Sequence, residues 1–350
     1  MRRPSLRARI VAVALAAAVL AVAIVAIVYR GPDWATVGDS FAAVNWTWVA
    51  VALGFNLLSI AARSMAWKTV IDQAIDPPRP GYRPVFSAFC VGLLGNAVLP
   101  GRIGEVARVA VLSRRLGRRK GVWASLIGTV FAHRVFDLVP VMALIAFVLV
   151  TAQIPQWAVT SLKLVVAVGL VLFLIAFLIA TRRYRSPLDG LGPVRRLVTM
   201  ARQGLAALHE PVAAAIAVAF QFIGWGLQLL AVYSAMQAFE IHEPLAAAGL
   251  VLVLMNVATV FPLWPGNVGL VQAAVALPLV SYGVAYAHGF AFGIGLQAIE
   301  ASVGIGLGMV FLAREGLSYA MLKEIPEPTE VELESHEPGP RTTIGSKLST

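Results

Sequence analysis

The residues able to do chemistry in this 350-residue chain lie inside its apolar stretches. Asn96, Arg102, Glu105 and Arg108 fall within or beside one such stretch, residues 85–113. His133, Arg134 and Asp137 fall within 122–150, Asn256, Asn267 and Gln272 within 245–281, and Gln297 and Glu300 within 288–313. An ionisable group at membrane depth costs about 2.5–3.5 kcal/mol on insertion scales, so each needs a partner or a purpose. Both 85–113 and 245–281 are interrupted by a Pro-Gly-x-x-Gly turn, Pro100-Gly101-Arg102-Ile103-Gly104 and Pro265-Gly266-Asn267-Val268-Gly269. A tight turn followed by a helix start directs free N–H groups at the turn, and such a start attracts an anion such as phosphate. Arg102 would add a bidentate phosphate donor there.

On a helix beginning near Ile103, Glu105 and Arg108 are three apart and share a face. His133 and Asp137 are four apart in the next span. Arg102, Glu105, Arg108 and Asp137 can also serve simply to brace the first turn region by pairing with one another. Some internal pairing is expected under either role, and the net local charge, positive once Arg134 is counted with these four, favours an anion. His133 is either a proton carrier or a hydrogen-bonded structural residue. No HExxH, GxSxG, Walker A loop or strand-turn-helix GxGxxG is present, so the familiar catalytic signatures are missing and no enzymatic chemistry is expected. The lone Cys90 excludes an internal disulfide and a CxxC metal pair, and is expected to pack as a small apolar residue. No metal or cofactor is expected.

The elements that position these groups follow from composition. Apolar residues make up 59% of the chain and charged residues 13%, against about 25% in soluble domains, and the mean hydropathy is +0.80. The formal charge of +10 would suit nucleic acid only with a basic face on a soluble domain, which is absent, so no nucleic-acid partner is expected. Apolar runs at 10–28, 46–65, 122–150, 157–180, 211–238 and 288–313 are long enough to span a bilayer. The arms of 85–113 and 245–281 are too short to cross comfortably and read as re-entrant. The fold class expected is therefore an all-α polytopic membrane protein, with six spanning helices and two re-entrant broken hairpins.

Arginine placement orients the chain. Arg2, Arg3, Arg7 and Arg9 put the N-terminus on the cytoplasmic side of the cell (inner) membrane, and the C-terminus is expected there too. Lys68, Arg79 and Arg83 precede 85–113, and Arg114, Arg115, Arg118, Arg119 and Lys120 follow it, so that hairpin enters from the cytoplasm. Glu240 and Glu243 precede 245–281 and no charge occupies 282–287, so the second hairpin enters from outside. Each half, about 10–150 and 157–313, then holds two spans, a broken hairpin and a third span in opposite orientation. Inverted repeats with discontinuous helices are a transporter architecture with a site at mid-depth. Removing the first run as a signal peptide, with its cleavage-like Ala21-Val22-Ala23, would break this symmetry. Residues 194–208 read as a basic interfacial helix, and the Glu-rich end of the chain from about 324 as disordered. The domain division expected is a transmembrane domain over 1–314 and an acidic cytoplasmic tail over 315–350. Gly304, Gly306 and Gly308 suggest helix packing, and Trp46, Trp48 and Trp67 suggest interface anchors.

Asn96-Ala-Val-Leu-Pro-Gly-Arg-Ile-Gly-Glu105, with Arg108 following, resembles the first signature of the lysylphosphatidylglycerol synthase transmembrane (flippase-like) family. Phe261-Pro-Leu-Trp-Pro-Gly-Asn-Val-Gly269 looks like its second, and Arg63 to Trp67-Lys68 and Arg134 to Asp137 are similar to two lesser features. The resemblance covers about residues 10–314. It implies a lipid-translocating domain, here a stand-alone member without the soluble synthase domain of bifunctional relatives. The substrate-binding residues so implied are Asn96, Pro100, Gly101, Arg102, Gly104, Glu105, Arg108, Arg134, Asp137, Pro265, Gly266, Asn267, Gly269, Gln272 and Glu300. Expected partners are membrane lipids, either an anionic phospholipid or an isoprenoid-linked lipid, with a homo-oligomer and a separate lipid synthase as further ones. Gln272 and His133 stand where the family usually or often has Glu, which tilts the expectation away from a cationic headgroup. The competing functions are secondary transport of a small soluble anion and, below it, intramembrane lipid modification with His133 and Asp137 as acid and base.

Overall fold

The computed structural model describes residues 31–98, 103–117, 122–181, 210–259 and 267–316, and it is all-helical, with no strand among the described residues. The first expected span (10–28), the turn residues Pro100, Gly101, Arg102, Pro265 and Gly266, the basic helix at 194–208 and the tail from 324 lie outside the described residues.

A short helix α1 (Trp34–Ala42) is capped by Asp33, whose carboxylate accepts from the Ala35 N–H at 3.1 Å and the Thr36 hydroxyl at 2.7 Å. This helix lies between the expected spans 10–28 and 46–65. Asn45 then caps α2 (Trp46–Ala74) by accepting from the N–H groups of Thr47 and Trp48. The expected end of this helix near residue 65 is corrected to Ala74. The added turns carry Trp67, Val70 and Ile71, all fully buried, and a Lys68–Asp72 ion pair four apart that lets charge ride on the helix. The first broken region folds as α3 (Tyr82–Val98) and α4 (Gly104–Leu116), followed by α5 (Val122–Thr151) and α6 (Gln156–Thr181). The second half continues with α7 (Pro211–Ala238), α8 (Leu245–Ala258), α9 (Leu270–Val280) and α10 (Tyr286–Arg314). Helices α2, α5, α7 and α10 are long and apolar enough to cross a membrane.

The most extensive helix pairing is α2 on α7. At their crossing the Ser59 hydroxyl donates to the Gly224 carbonyl at 2.8 Å, and a Cβ on Gly224 would meet Arg63 Cγ at 2.5 Å. Small residues thus let the two backbones approach, as in other membrane helix pairs. Around this pair, α3 packs on α4 and α10, and α8 packs on α9 and α5; α4 packs on α5, and α9 on α10. Among the described residues two large apolar cores result, with a small third cluster of Val70, Ala132, Val135, Phe136 and Ala217 between α2, α5 and α7. One is built around α7 to α10 with part of α5, and the other around α3, α4 and the second half of α2, with the end of α10. Of Gly304, Gly306 and Gly308 on α10, Gly308 makes the close contact, with α3: a Cβ there would meet the Cys90 carbonyl at 2.9 Å. Gly306 has nothing within 4 Å. Cys90 is buried in the core, as expected of a packing residue.

Where α4 and α10 end, Glu315 accepts from Ser87 at 2.7 Å and from Arg115 at 2.9 Å, so three helices meet at one carboxylate. Burial pushes the Glu315 carboxyl up, but the hydrogen bonds from Arg115 and Ser87 outweigh it and hold it below the ordinary glutamate range. A depressed folded-state pKa contributes stability in full above the unfolded value and loses it as pH falls. Wild type should therefore exceed Glu315→Gln in thermal stability at neutral pH. The gap should be about 0.2–1 kcal/mol, since Arg115 is half exposed, and should close as the pH is lowered through the carboxylate range. A gap that persists at low pH would show that this joint owes nothing to charge.

Candidate functional site

The turn before α4 is held by the Asn96 side chain, whose Oδ1 accepts from the Gly104 N–H at 3.0 Å. Before α9 the Gln272 Oε1 accepts from the Gly269 N–H at 2.5 Å. Gly269 has φ +91° and Asn267 φ +44°, conformations that Gly and Asn adopt most readily, which explains this residue choice at the second turn. Asn267 also donates to the Ala258 carbonyl at 3.0 Å, tying the end of α8 to the start of α9. The N–H groups of Gly104 and Gly269 are thus taken by side chains. At each helix start this one N–H is therefore engaged, and the positive charge of the region lies on the arginines of the first half.

Those arginines form one network at the middle of the first half. Glu105 on α4 pairs with Arg108 on its own helix and with Arg134 on α5. Arg134 also reaches Asp137 at 3.2 Å, and Asp137 pairs with Arg63 of α2 at 3.4 Å and accepts from Trp225 Nε1 of α7 at 2.9 Å. Arg63 lies over the Trp225 ring at 4.7 Å, and the buried Arg108 guanidinium lies 4.6 Å from Trp67 and 5.5 Å from Phe89. Burial of this kind is tolerated because each charge meets an opposite charge or an aromatic face. Arg108 Nε nevertheless has no hydrogen-bond partner among the described residues. The Arg134 side chain is 52% exposed while that of Asp137 is 9% exposed, so the network is closed on one side and open at Arg134.

The second half carries a different set. Gln272 donates to Gln297 at 2.5 Å, and Gln228 of α7 donates to Glu300 of α10 at 2.7 Å. Asn256 turns back onto the Leu252 carbonyl of its own helix. His133 faces Gln221 and packs edge-on against Phe89, and no hydrogen bond joins it to Asp137 among the described residues. No group of three His, Cys, Asp or Glu suited to a metal occurs among the described residues.

Of the residues singled out from sequence, Glu105, Arg108, Arg134 and Asp137 are brought together. Gly269 and Gln272 meet in the second half, where Glu300 is held by Gln228 instead, and Asn96 and Asn267 act on the turns. Sequence reasoning missed Trp225, Gln221 and Gln228, and gave Arg63 only a minor place. The available signal was their position inside apolar spans, where a polar group requires a partner. Trp67 is corrected from interface anchor to core residue. It is fully buried, donates to Thr129 at 3.1 Å and covers Arg108, because α2 continues past the apolar run that had been taken as its end.

Long apolar helices gathered around a buried ion network define a multi-pass membrane protein with a polar interior. The chain belongs to the family described as Lysylphosphatidylglycerol synthase TM region, whose pattern it matches over residues 9–308. It is also similar to the UPF0104 membrane protein MJ1078 of Methanocaldococcus jannaschii, 23% identical over 201 residues, which are 56% of this chain and 83% of that protein. No solved structure matches it.

Proposed function

We propose that the protein moves a phospholipid or related anionic lipid between the two leaflets of the cell membrane, without covalent chemistry. The observation that carries this reading is the ion network Glu105–Arg108–Arg134–Asp137–Arg63, buried among helices yet open at Arg134. The three arginines exceed the two carboxylates of that cluster by one charge. A phosphate at Arg134 would meet that excess while the acyl chains stay in lipid, so the headgroup need not cross hydrocarbon unaccompanied. Asn96, Gly104, Asn267, Gly269, Gln272 and Glu300 shape the path, and Pro100, Gly101, Arg102, Pro265 and Gly266 enter it on their sequence alone.

The architecture under this reading is an inverted repeat of six spans and two re-entrant hairpins, with both termini cytoplasmic. Its support is the reciprocal packing: α3 and α4 stand to α10 and α5 as α8 and α9 stand to α5 and α10, about the α2–α7 pair. The sequence contains no Walker A loop, so movement would be downhill or ion-coupled. A separate synthase would supply any modified lipid.

Full-length protein in liposomes with fluorescent phosphatidylglycerol tests this by dithionite quenching from outside. Quenching should run beyond the outer-leaflet half, and Arg134→Ala and Glu105→Gln should return it to that half. Quenching that stops at the half for every headgroup tried would favour transport of a small soluble anion instead.

A further inference from the structure

The polar groups of the two halves occupy equivalent places but differ in charge. Ser59 and Gly224, which touch at the α2–α7 crossing, are 165 positions apart, and the same interval separates Arg63 from Gln228 and Gly104 from Gly269. On α5 and α10 the interval from 134 to 297 and from 137 to 300 is 163 in both cases. The bonds correspond as well. Arg63 of α2 pairs with Asp137 of α5, and Gln228 of α7 pairs with Glu300 of α10. Arg134 of α5 reaches Glu105 on the second arm of the first hairpin, and Gln297 of α10 meets Gln272 on the second arm of the second. One half is thus ionic. The other keeps one carboxylate, Glu300, sets the amides Gln228 and Gln297 in place of Arg63 and Arg134, and has the apolar Leu270 and Ala273 where the first half has Glu105 and Arg108.

Resting on the lipid-translocating reading, we infer that this second half is a subsite for an uncharged, hydroxyl-bearing headgroup moiety, joined to a phosphodiester that docks at Arg134. Arg134 spends only two of a guanidinium's five N–H donors on Asp137 and Glu105, and its exposed side can offer the rest to phosphate. A hydroxyl both donates and accepts, and an amide–carboxylate pair such as Gln228–Glu300 offers both roles. Gln228, Gln297 and Glu300 are each only partly covered, near the middle of their helices, so they remain within reach of a ligand. A second phosphate would meet amides there in place of the guanidinium groups of Arg63 and Arg134. An ammonium gains little, because Glu300 already accepts from Gln228 and lies within electrostatic range of Arg63, which repels a second cation. The shared ligand chemistry is a phosphodiester bearing a polyol or sugar, on either a glycerolipid or an isoprenoid chain.

Native mass spectrometry of the full-length protein tests this with an equimolar mixture of phosphatidylglycerol, phosphatidylinositol, an isoprenyl phosphosugar, phosphatidylethanolamine and phosphatidic acid. The hydroxyl-bearing lipids should bind about tenfold better than the amine or the bare phosphate, and the first three arms separate glycerolipid from isoprenoid. Gln228→Leu should lower hydroxyl-lipid binding about tenfold and leave phosphatidic acid unchanged, and Gln297→Glu should turn preference towards the amine. Thermal melting of each variant identifies any that has lost its fold. Equal binding of all headgroups, or a Gln228→Leu loss shared by phosphatidic acid, would overturn the inference. Selective binding without dithionite-detected movement would overturn the translocation reading and keep the subsite; movement with unselective binding would do the reverse.

Discussion

Asp137→Ala should cost about 3–5 kcal/mol of stability and abolish lipid movement, the largest effect expected of any single charge in the chain. Asp137 is buried, pairs with Arg63 and Arg134, and accepts from Trp225. Removing it leaves two guanidinium groups at membrane depth with a lost counter-charge and leaves the Trp225 N–H unpaired. Most of the loss is the cost of the orphaned partners, not the worth of the bonds themselves. The double variant Arg63→Met/Asp137→Ala should therefore be more stable than Asp137→Ala alone, as measured by thermal unfolding in detergent. Lipid movement should not return with it, because Arg134 has lost the Asp137 carboxylate that holds it in place. A single variant that melts like wild type would mean that water, not Arg63 and Arg134, satisfies Asp137.

Gly104→Val should be nearly as severe for a steric reason. A Cβ at Gly104 would overlap the Gly92 carbonyl oxygen and come within 2.6 Å of the Asn96 backbone N. Both obstacles are backbone, so no rotamer change relieves them, and α3 and α4 must part. Overpacking of this kind costs about 3 kcal/mol. Parting the arms also breaks the Asn96 cap on the Gly104 N–H and displaces Glu105 from Arg134. Gly269→Ala provides the contrast. Gly269 has open space around it, so only its positive φ is strained, at about 1–3 kcal/mol. Thermal unfolding should rank Gly104→Val below Gly269→Ala, and dithionite quenching should be lost in the first and reduced in the second. The reverse order would place the tighter constraint in the second hairpin.

Much of this protein can be read from its sequence because membrane helices are local objects. A bilayer supplies no hydrogen bonds to the backbone, so every long apolar run must be a helix, and Pro-Gly pairs must break one. The runs at 122–150, 211–238 and 288–313 accordingly match α5, α7 and α10 to within about two residues. The same logic marks Glu105, Arg108, Arg134 and Asp137 as residues in need of partners, and the two turn motifs suffice for a resemblance to the family whose pattern matches residues 9–308.

What a run of sequence does not contain is the identity of those partners. Asp137 meets Arg63, 74 positions earlier, and Trp225, 88 positions later, and no periodicity within α5 points to either. Helix faces choose partners through packing, and here the close crossing at Ser59 and Gly224 sets Arg63 and Trp225 beside Asp137. The same packing buries Trp67, which composition alone assigns to the interface, and directs His133 to Gln221 instead of Asp137. Sequence thus determined which segments are helices and which side chains cannot stand alone in lipid, because both follow from local chain chemistry and the absence of water. Tertiary structure alone decided which charges neutralise one another and which are left open to a ligand, because that depends on where distant helix faces meet.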